Sequence, residues 1–196
     1  MDDTEKSTGL ILEQKKTLLK LAREAIGEQL LRGSVPQQDQ EDEVLCRPSG
    51  AFVTLEIDER LRGCIGSMEA DKPLYRQVVE MAVAAATEDP RFDVLTMPEL
   101  KFTEIEISVL SPMEPIETHE VTVGEHGLYV AQGRHRGVFL PQVPVQQGWD
   151  RSRYLQELLA KAGLPSAALS DPSTHLLAFT AEVFGDRDVL EDDYYE

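Results

Sequence analysis

The chain has 196 residues, 41% of them hydrophobic and 6% aromatic, and its 19 Lys and Arg against 36 Asp and Glu leave a formal net charge of −17. Apolar residues recur in periodic segments along most of the length, which excludes collagen-like, mucin-like and fully disordered chains and fits one core with a smaller lobe. The deficit of basic residues argues against a nucleic-acid binder and against adsorption to an anionic membrane.

The charge is concentrated. Asp39–Glu43 holds four acids in five positions, and Asp186–Glu196 holds six acids against Arg187 alone. Blocks of this kind lie in solvent. The expected organisation is therefore an N-terminal helix and acidic linker over 1–50, a domain over 51–185, and an acidic disordered tail over 186–196. Met1 is followed by acids rather than a basic n-region, and no apolar run is long enough to span a bilayer. Cys46 and Cys64 stand in unlike contexts, with neither disulfide nor zinc spacing. A cytoplasmic protein with reduced thiols is expected.

In chain order, Leu10–Leu31 reads as a helix stopped by Gly33, and Pro36–Glu43 as an exposed linker. Ala51–Ile57 alternates as a strand, Asp58-Glu59 turns the chain, and Leu61–Met68 returns as a hairpin partner. Asp71 is expected to cap a second helix that carries Leu74, Val78, Ala82 and Ala85 inward and ends before Asp89-Pro90. Thr103–Leu110 places Ile105, Ile107 and Val109 on one face, with Glu104, Glu106 and Ser108 on the other. Val121–Val123 reads as a short strand, and Leu128–Ala131 with Gly137–Leu140 as a hairpin. Asp150 caps a third helix closed by Gly163, and Leu176–Phe184 is a last strand. Hairpins interspersed with helices predict an α+β fold with a mainly antiparallel sheet flanked by helices, one main lobe and a smaller lobe.

The segment richest in chemistry is Leu61-Arg62-Gly63-Cys64-Ile65-Gly66-Ser67. If it is extended, Arg62 and Cys64 share one face while Leu61 and Ile65 take the other. A guanidinium beside a thiol favours thiolate, the nucleophilic form. Gly63 and Gly66 mark a bulge or a close backbone approach. The structural alternative is a small buried Cys in a kinked edge strand, with Arg62 paired to a carboxylate.

This string occurs in order with Asp89-Pro90-Arg91-Phe92, Glu104–Leu110, His126-Gly127-Leu128, Leu140-Pro141-Gln142-Val143 and Gly148-Trp149-Asp150. On these strings the chain resembles the AMMECR-type domain family, which includes protein A of the AmmeMemoRadiSam gene set. The resemblance covers about Ala51–Phe184. It implies a two-lobed α+β domain whose hallmark motif lines a cleft, and Memo-type and radical-SAM proteins as partners.

The candidate catalytic set is Cys64 as nucleophile, His126 as base and Glu106 as the group orienting the imidazole. Candidate ligand-binding residues are Arg62, Gly63, Gly66, Arg134 and Arg136. The last two belong to a locally basic stretch, Arg134–Arg153, suited to a small anionic organic ligand or an acidic partner surface. The four histidines have no metal-ligand spacing, and no phosphate loop or dinucleotide fingerprint is present, so no metal or cofactor is expected. Two functions fit: an enzyme or enzyme component using Cys64 in a cleft, or a non-catalytic interaction module.

Overall fold

The computed structural model describes residues 9–35 and 39–192. They fall into two units. The larger comprises the described residues up to Leu110 and from Glu182 onward, and the smaller is Ser111–Ala181. The chain thus leaves the larger unit once, builds the smaller one, and returns.

In the larger unit, helix α1 (Leu12–Arg32) is followed by strands β1 (Ala51–Ile57) and β2 (Arg60–Ser67), helix α2 (Leu74–Thr87), the short helix α3 (Met97–Leu100) and strand β3 (Glu104–Leu110). The sheet has the order β2-β1-β3-β8, where β8 is Ala181–Gly185. β1 is antiparallel to both β2 and β3, and a two-residue turn at Asp58-Glu59, both with positive φ, joins β1 to β2. Alternation fixes the faces. Val53, Leu55, Ile105 and Ile107 are buried in one cluster with Leu18, Ile26, Val78 and Ala82 of the two long helices. Phe52, Thr54, Glu56, Glu104, Glu106 and Ser108 occupy the opposite face.

The strand facing α2 has no side chain at Gly63, because a Cβ there would lie 2.1 Å from the carbonyl oxygen of Ala85. The alanines at 82, 85 and 86 and this glycine together let the helix backbone settle directly on the strand.

The smaller unit holds a sheet of order β4-β7-β5-β6, from β4 (Glu114–Pro115), β5 (Gly127–Gln132), β6 (His135–Phe139) and β7 (His175–Phe179). Helix α4 (Gln142–Gln146) precedes α5 (Arg151–Ala162), whose Tyr154, Leu158 and Leu159 pack with Leu128 and Val130. Asp150 caps α5 by accepting from the Arg153 N–H at 2.7 Å, and Gly163 closes it with φ 70°.

Several expectations are corrected. The segment Leu176–Phe184 is not one strand: it passes from the smaller sheet to the larger at Thr180, whose N–H donates to Ser111 Oγ at 2.9 Å. Val121–Val123 forms no strand, and its apolar signal reflects burial of Val121. The second helix is entered through Pro73, with no side-chain cap from Asp71. The acidic tail is helical rather than disordered over its described part, α6 (Asp186–Asp192). Asp186 accepts from Arg23 at 2.6 Å and from the Ile105 N–H at 2.8 Å, and Asp188 accepts from the Gly185 N–H at 2.7 Å. Two of its acids are therefore fold contacts. Pro36–Gln38 of the expected linker and Asp193–Glu196 of the tail lie outside the described residues.

Gly63→Ala is expected to destabilise the chain by about 1–3 kcal/mol or more, since backbone rather than a flexible side chain blocks the new methyl group. Urea unfolding of the two proteins measures it.

A candidate thiol site on the larger sheet

Cys64 lies opposite Thr54 on β1, and Thr54 lies opposite Glu106 on β3. Residues directly across a sheet project to the same side, so Cys64, Thr54 and Glu106 form a row on the face turned away from the helices. The Thr54 hydroxyl donates to Cys64 Sγ at 3.4 Å. Phe52 extends the row's floor: its ring lies over Gly66, where a Cβ would come within 2.1 Å of ring carbons. Gly63 faces the helices instead, so the two glycines bracketing Cys64 serve opposite faces.

β2 is an edge strand, and side chains occupy its outer hydrogen-bonding groups at Cys64. The Cys64 N–H donates to Asp89 Oδ2 at 2.8 Å, and Arg91 Nη2 donates to the Cys64 carbonyl at 3.4 Å. Arg91 also grips the same carboxylate, through Nε to Oδ1 at 2.9 Å and Nη2 to Oδ2 at 2.6 Å. The Asp89 side chain is 2% exposed and that of Arg91 54%. The Arg91 guanidinium, then the Cys64 and Arg91 backbone N–H groups, hold the Asp89 carboxyl well below the usual range against the opposing effect of burial. Both N–H bonds of Arg91 Nη1 are without a partner among the described residues.

Arg62 is not part of this face. The pairing shifts by one residue between Leu55 and Glu56, so Leu61 lies opposite Glu56, Gly63 opposite Leu55, and Arg62 is the extra residue of a bulge. The expected alternation fails there, because the bulge carries Leu61 onto the Cys64 face. The Arg62 side chain, 16% exposed, pairs with Glu99 at 3.0 and 3.3 Å and donates to the carbonyls of Asp93 and Val94. Glu99 in turn accepts from the N–H and hydroxyl of Thr96 at the start of α3. Arg62 and then these Thr96 donors bring the Glu99 carboxyl down to about 2.

Glu106 lines a cavity of about 130 Å³ with Glu56, Glu104, Asp186, Arg187 and Asp188. Arg187 pairs with Glu104 and Glu59, while Glu56 and Glu106 have no hydrogen-bond partner among the described residues. Partial burial, followed by the charges of Glu56 and Asp188, raises the Glu106 carboxyl above its ordinary range.

His126, Arg134 and Arg136 belong to the smaller unit. His126 Nδ1 accepts from the Thr122 N–H at 3.2 Å, and Nε2 lies 3.9 Å from Glu125, so a neutral ring in this tautomer has its lone pair engaged locally. Arg136 Nε donates to the Tyr129 hydroxyl at 3.0 Å, and Arg134 sits in the exposed β5–β6 turn. Among the described residues no group of three or more His, Cys, Asp or Glu is arranged to hold a metal ion, and no helix is long and apolar enough to cross a membrane.

Residues 19–184 match the protein family described as AMMECR1. The chain belongs to the AMMECR1 family. A protein of Methanothermobacter thermautotrophicus is 42% identical over 181 residues, covering 88% of this chain and 94% of its own. Protein MK0488 of Methanopyrus kandleri is 39% identical over 189 residues, covering 91% of each. The crystal structure of uncharacterized protein PH0010 from Pyrococcus horikoshii superposes with a TM-score of 0.78 at 38% identity, covering 86% of this chain and 89% of that one. The AMMECR1 match begins inside α1, so that helix is part of the family domain rather than a leader to it.

Sequence reasoning missed Thr54, Asp89 and Arg91. Asp89-Pro90-Arg91-Phe92 was visible as a family string, but only the fold brings it to the β2 edge. Glu99 and Asp89 titrate below their ordinary values, so each contributes stability that is complete above the unfolded-state pKa, near 4.5 for Glu99, and is lost as pH falls through the folded-state value. Glu99→Gln is therefore expected to lose less stability than the natural chain between pH 5 and pH 2.5. Urea midpoints at the two pH values test this, and equal losses in both proteins would contradict it.

Proposed function

We propose that this AMMECR1-family chain is a thiol enzyme, or the thiol-bearing component of one, in which Cys64 attacks a small organic electrophile bearing an anionic group. The observation that carries the reading is the half-buried Cys64, whose Sγ accepts from the Thr54 hydroxyl on the β1 side and whose carbonyl accepts from the Arg91 guanidinium on the outer edge. The unpartnered Nη1 of Arg91 offers two divergent N–H donors to a carboxylate or phosphate. Glu106 stands two strands away, about 10 Å at ~4.8 Å per strand. Partial burial raises its carboxyl above the ordinary range, and its place at the far end of the row suits proton transfer to a bound substrate. Phe52 gives the neighbouring row, between Gly66 and Ser108, an apolar surface. His126, held within the smaller unit, is not needed for this reading.

A second reading is favoured by how firmly β2 is pinned, with Asp89 and Arg91 at one residue and Glu99 at Arg62. Such a preset surface would suit a non-catalytic docking module working with Memo-type and radical-SAM partners. A complex that survives Cys64→Ala unchanged, together with no turnover dependent on Cys64, would favour docking.

The test of the thiol reading uses Cys46 as an internal reference, since its thiol is half-buried and hydrogen-bonded to the Gln40 carbonyl at 3.2 Å. Peptide mass spectrometry after brief iodoacetamide treatment at pH 7 is expected to show Cys64 alkylated at least about tenfold faster than Cys46. Iodoacetate should gain on iodoacetamide at Cys64 relative to free cysteine, and Arg91→Gln should remove that gain. A Cys64 no faster than Cys46 would refute the activated thiol.

A further inference from the structure

We infer that the smaller unit binds a small organic amine with an apolar body, in a cavity beside the uncovered end of β7. The inference concerns a different unit from the thiol and does not rest on the reading of Cys64.

The cavity follows from how β4 ends. β4 covers the outer edge of β7 at only two residues, Glu114 opposite Ala178 and Pro115 opposite Leu177. The Ile116 N–H makes one more bond, to the Leu176 carbonyl at 3.2 Å. The chain then turns away over 117–120, where the Glu120 N–H donates to the Glu117 carbonyl at 3.0 Å and the Glu120 carboxylate accepts from the Glu117 N–H at 3.0 Å. The short helical turn Ser166–Ser170 brings Leu169 to the same place. Between these segments and the start of β7 lies a space of about 310 Å³. That is the lower end of the range, about 300–1,000 Å³, in which small-molecule sites fall.

The lining is divided in character. Ile116, Leu169 and Leu176 pack against the core of the smaller unit, yet each stays half-buried and borders the cavity. Glu117 and Glu120 supply two carboxylates, and among the described residues neither is paired with a base and no Lys or Arg lines the space. The acidic cavity beside Glu106 differs in this respect, since it contains its own cation, Arg187. Thr174 adds a hydroxyl that is closed off from solvent and has no hydrogen-bond partner among the described residues. Such a group costs the free chain stability until something bonds to it. An ammonium carries three N–H donors, which suffice for Glu117, Glu120 and the Thr174 oxygen together. The apolar wall takes a hydrocarbon body, which an inorganic cation lacks. A ligand of the same shape ending in a carboxylate would instead meet two like charges. Charge and surface therefore select an ammonium joined to an aromatic or branched aliphatic group.

The experiment titrates the isotope-labelled full chain with 2-phenylethylamine and follows its backbone amides by NMR. Two probes serve as comparisons: 3-phenylpropionate, of like shape and opposite charge, and methylammonium, which has the charge without the apolar body. Phenylethylamine is expected to shift the amides of 116–120 and 174–177 saturably, and to bind at least about tenfold more tightly than either comparison probe. Glu117→Gln should weaken it about fivefold or more, whereas Glu114→Gln, outside the cavity on β4, should change it less than about twofold. Thr174→Val, which removes the unbonded hydroxyl at nearly constant volume, should weaken the amine at least about threefold. The amide spectrum of each variant shows whether it has kept its fold. A Glu117→Gln or Thr174→Val chain that binds phenylethylamine as tightly as the natural one overturns the assignment, and so does equal binding of 3-phenylpropionate or methylammonium. Shifts that never saturate, or that spread over the acids at 39–43, mark general attraction of cations to a chain of charge −17 and overturn it as well.

Discussion

The carboxylate of Asp89 carries the architecture of the motif. Edge strand β2 would otherwise present the Cys64 N–H and carbonyl to solvent. Asp89 accepts from the first, and Arg91, bound to that carboxylate, donates to the second, so one Asp-Pro-Arg segment substitutes for a missing strand. A nearly buried carboxylate is tolerable only because the guanidinium and backbone N–H groups satisfy it. Asp89 reaches this place because α2 ends at Thr87, and the following turn is tied back when the Leu95 N–H donates to the Ala86 carbonyl at 2.8 Å. The same helix fits over Gly63. The contact that buries α2 and the contact that closes the strand edge are therefore made by neighbouring parts of one segment.

Two arginines near the motif have opposite assignments, and their surroundings explain why. Arg62 sits on a bulge, is nearly enclosed, and spends its donors on Glu99 and two carbonyls that shape the turn before α3. Arg91 is half exposed and keeps Nη1 in reserve. The arginine two positions from the cysteine in sequence thus secures the fold, whereas the one 27 positions away bonds to the cysteine's carbonyl in space. Removing either partner of Arg62–Glu99 would loosen the bulge, and removing Arg91 would leave Asp89 uncompensated at the cysteine backbone.

Much of the larger unit could be read from periodicity. The alternation in Ala51–Ile57 and Thr103–Leu110 identifies the buried faces, and it places Glu106 on the face that also receives Cys64, because β1 pairs antiparallel with both neighbours. What escaped was whatever depends on register. A single extra residue at Arg62 reverses the alternation locally; Gly63 and Gly66 signal a bulge or a close approach, but their presence does not say which of the two each makes or which residue is the extra one. Leu176–Phe184 reads as one mostly apolar run although its two halves join different sheets, and the crossing at Thr180 has no glycine or proline to mark it. Asp186 and Asp188 read as part of a solvated acidic tail, yet position next to β8 makes them hydrogen-bond acceptors for a strand end and for Arg23. Charge density alone could not separate those two from the acids that follow. Thr54 is an unremarkable strand residue until its cross-strand partner is known to be cysteine.

The electrostatics of the thiol follow from the same pairing. With a net charge of −17, the chain has no long-range attraction for anions, and Asp89 cancels most of the field of Arg91 beyond contact distance. Glu106 lies about 10 Å from Cys64, slightly more than the Debye length of about 8 Å at physiological ionic strength, so its repulsion of a thiolate is largely screened. Net charge therefore decides little at Cys64. Stabilisation of charge at the motif falls to groups in direct contact, the Thr54 hydroxyl at the sulfur and the Arg91 guanidinium at the Cys64 carbonyl, and these act over one hydrogen-bond length. Such a site selects by fit and donor geometry rather than by attraction from a distance. A small reactant whose anionic group is met at contact distance by the free Arg91 Nη1 depends on those local donors, and the net charge of the whole chain adds little to its recognition.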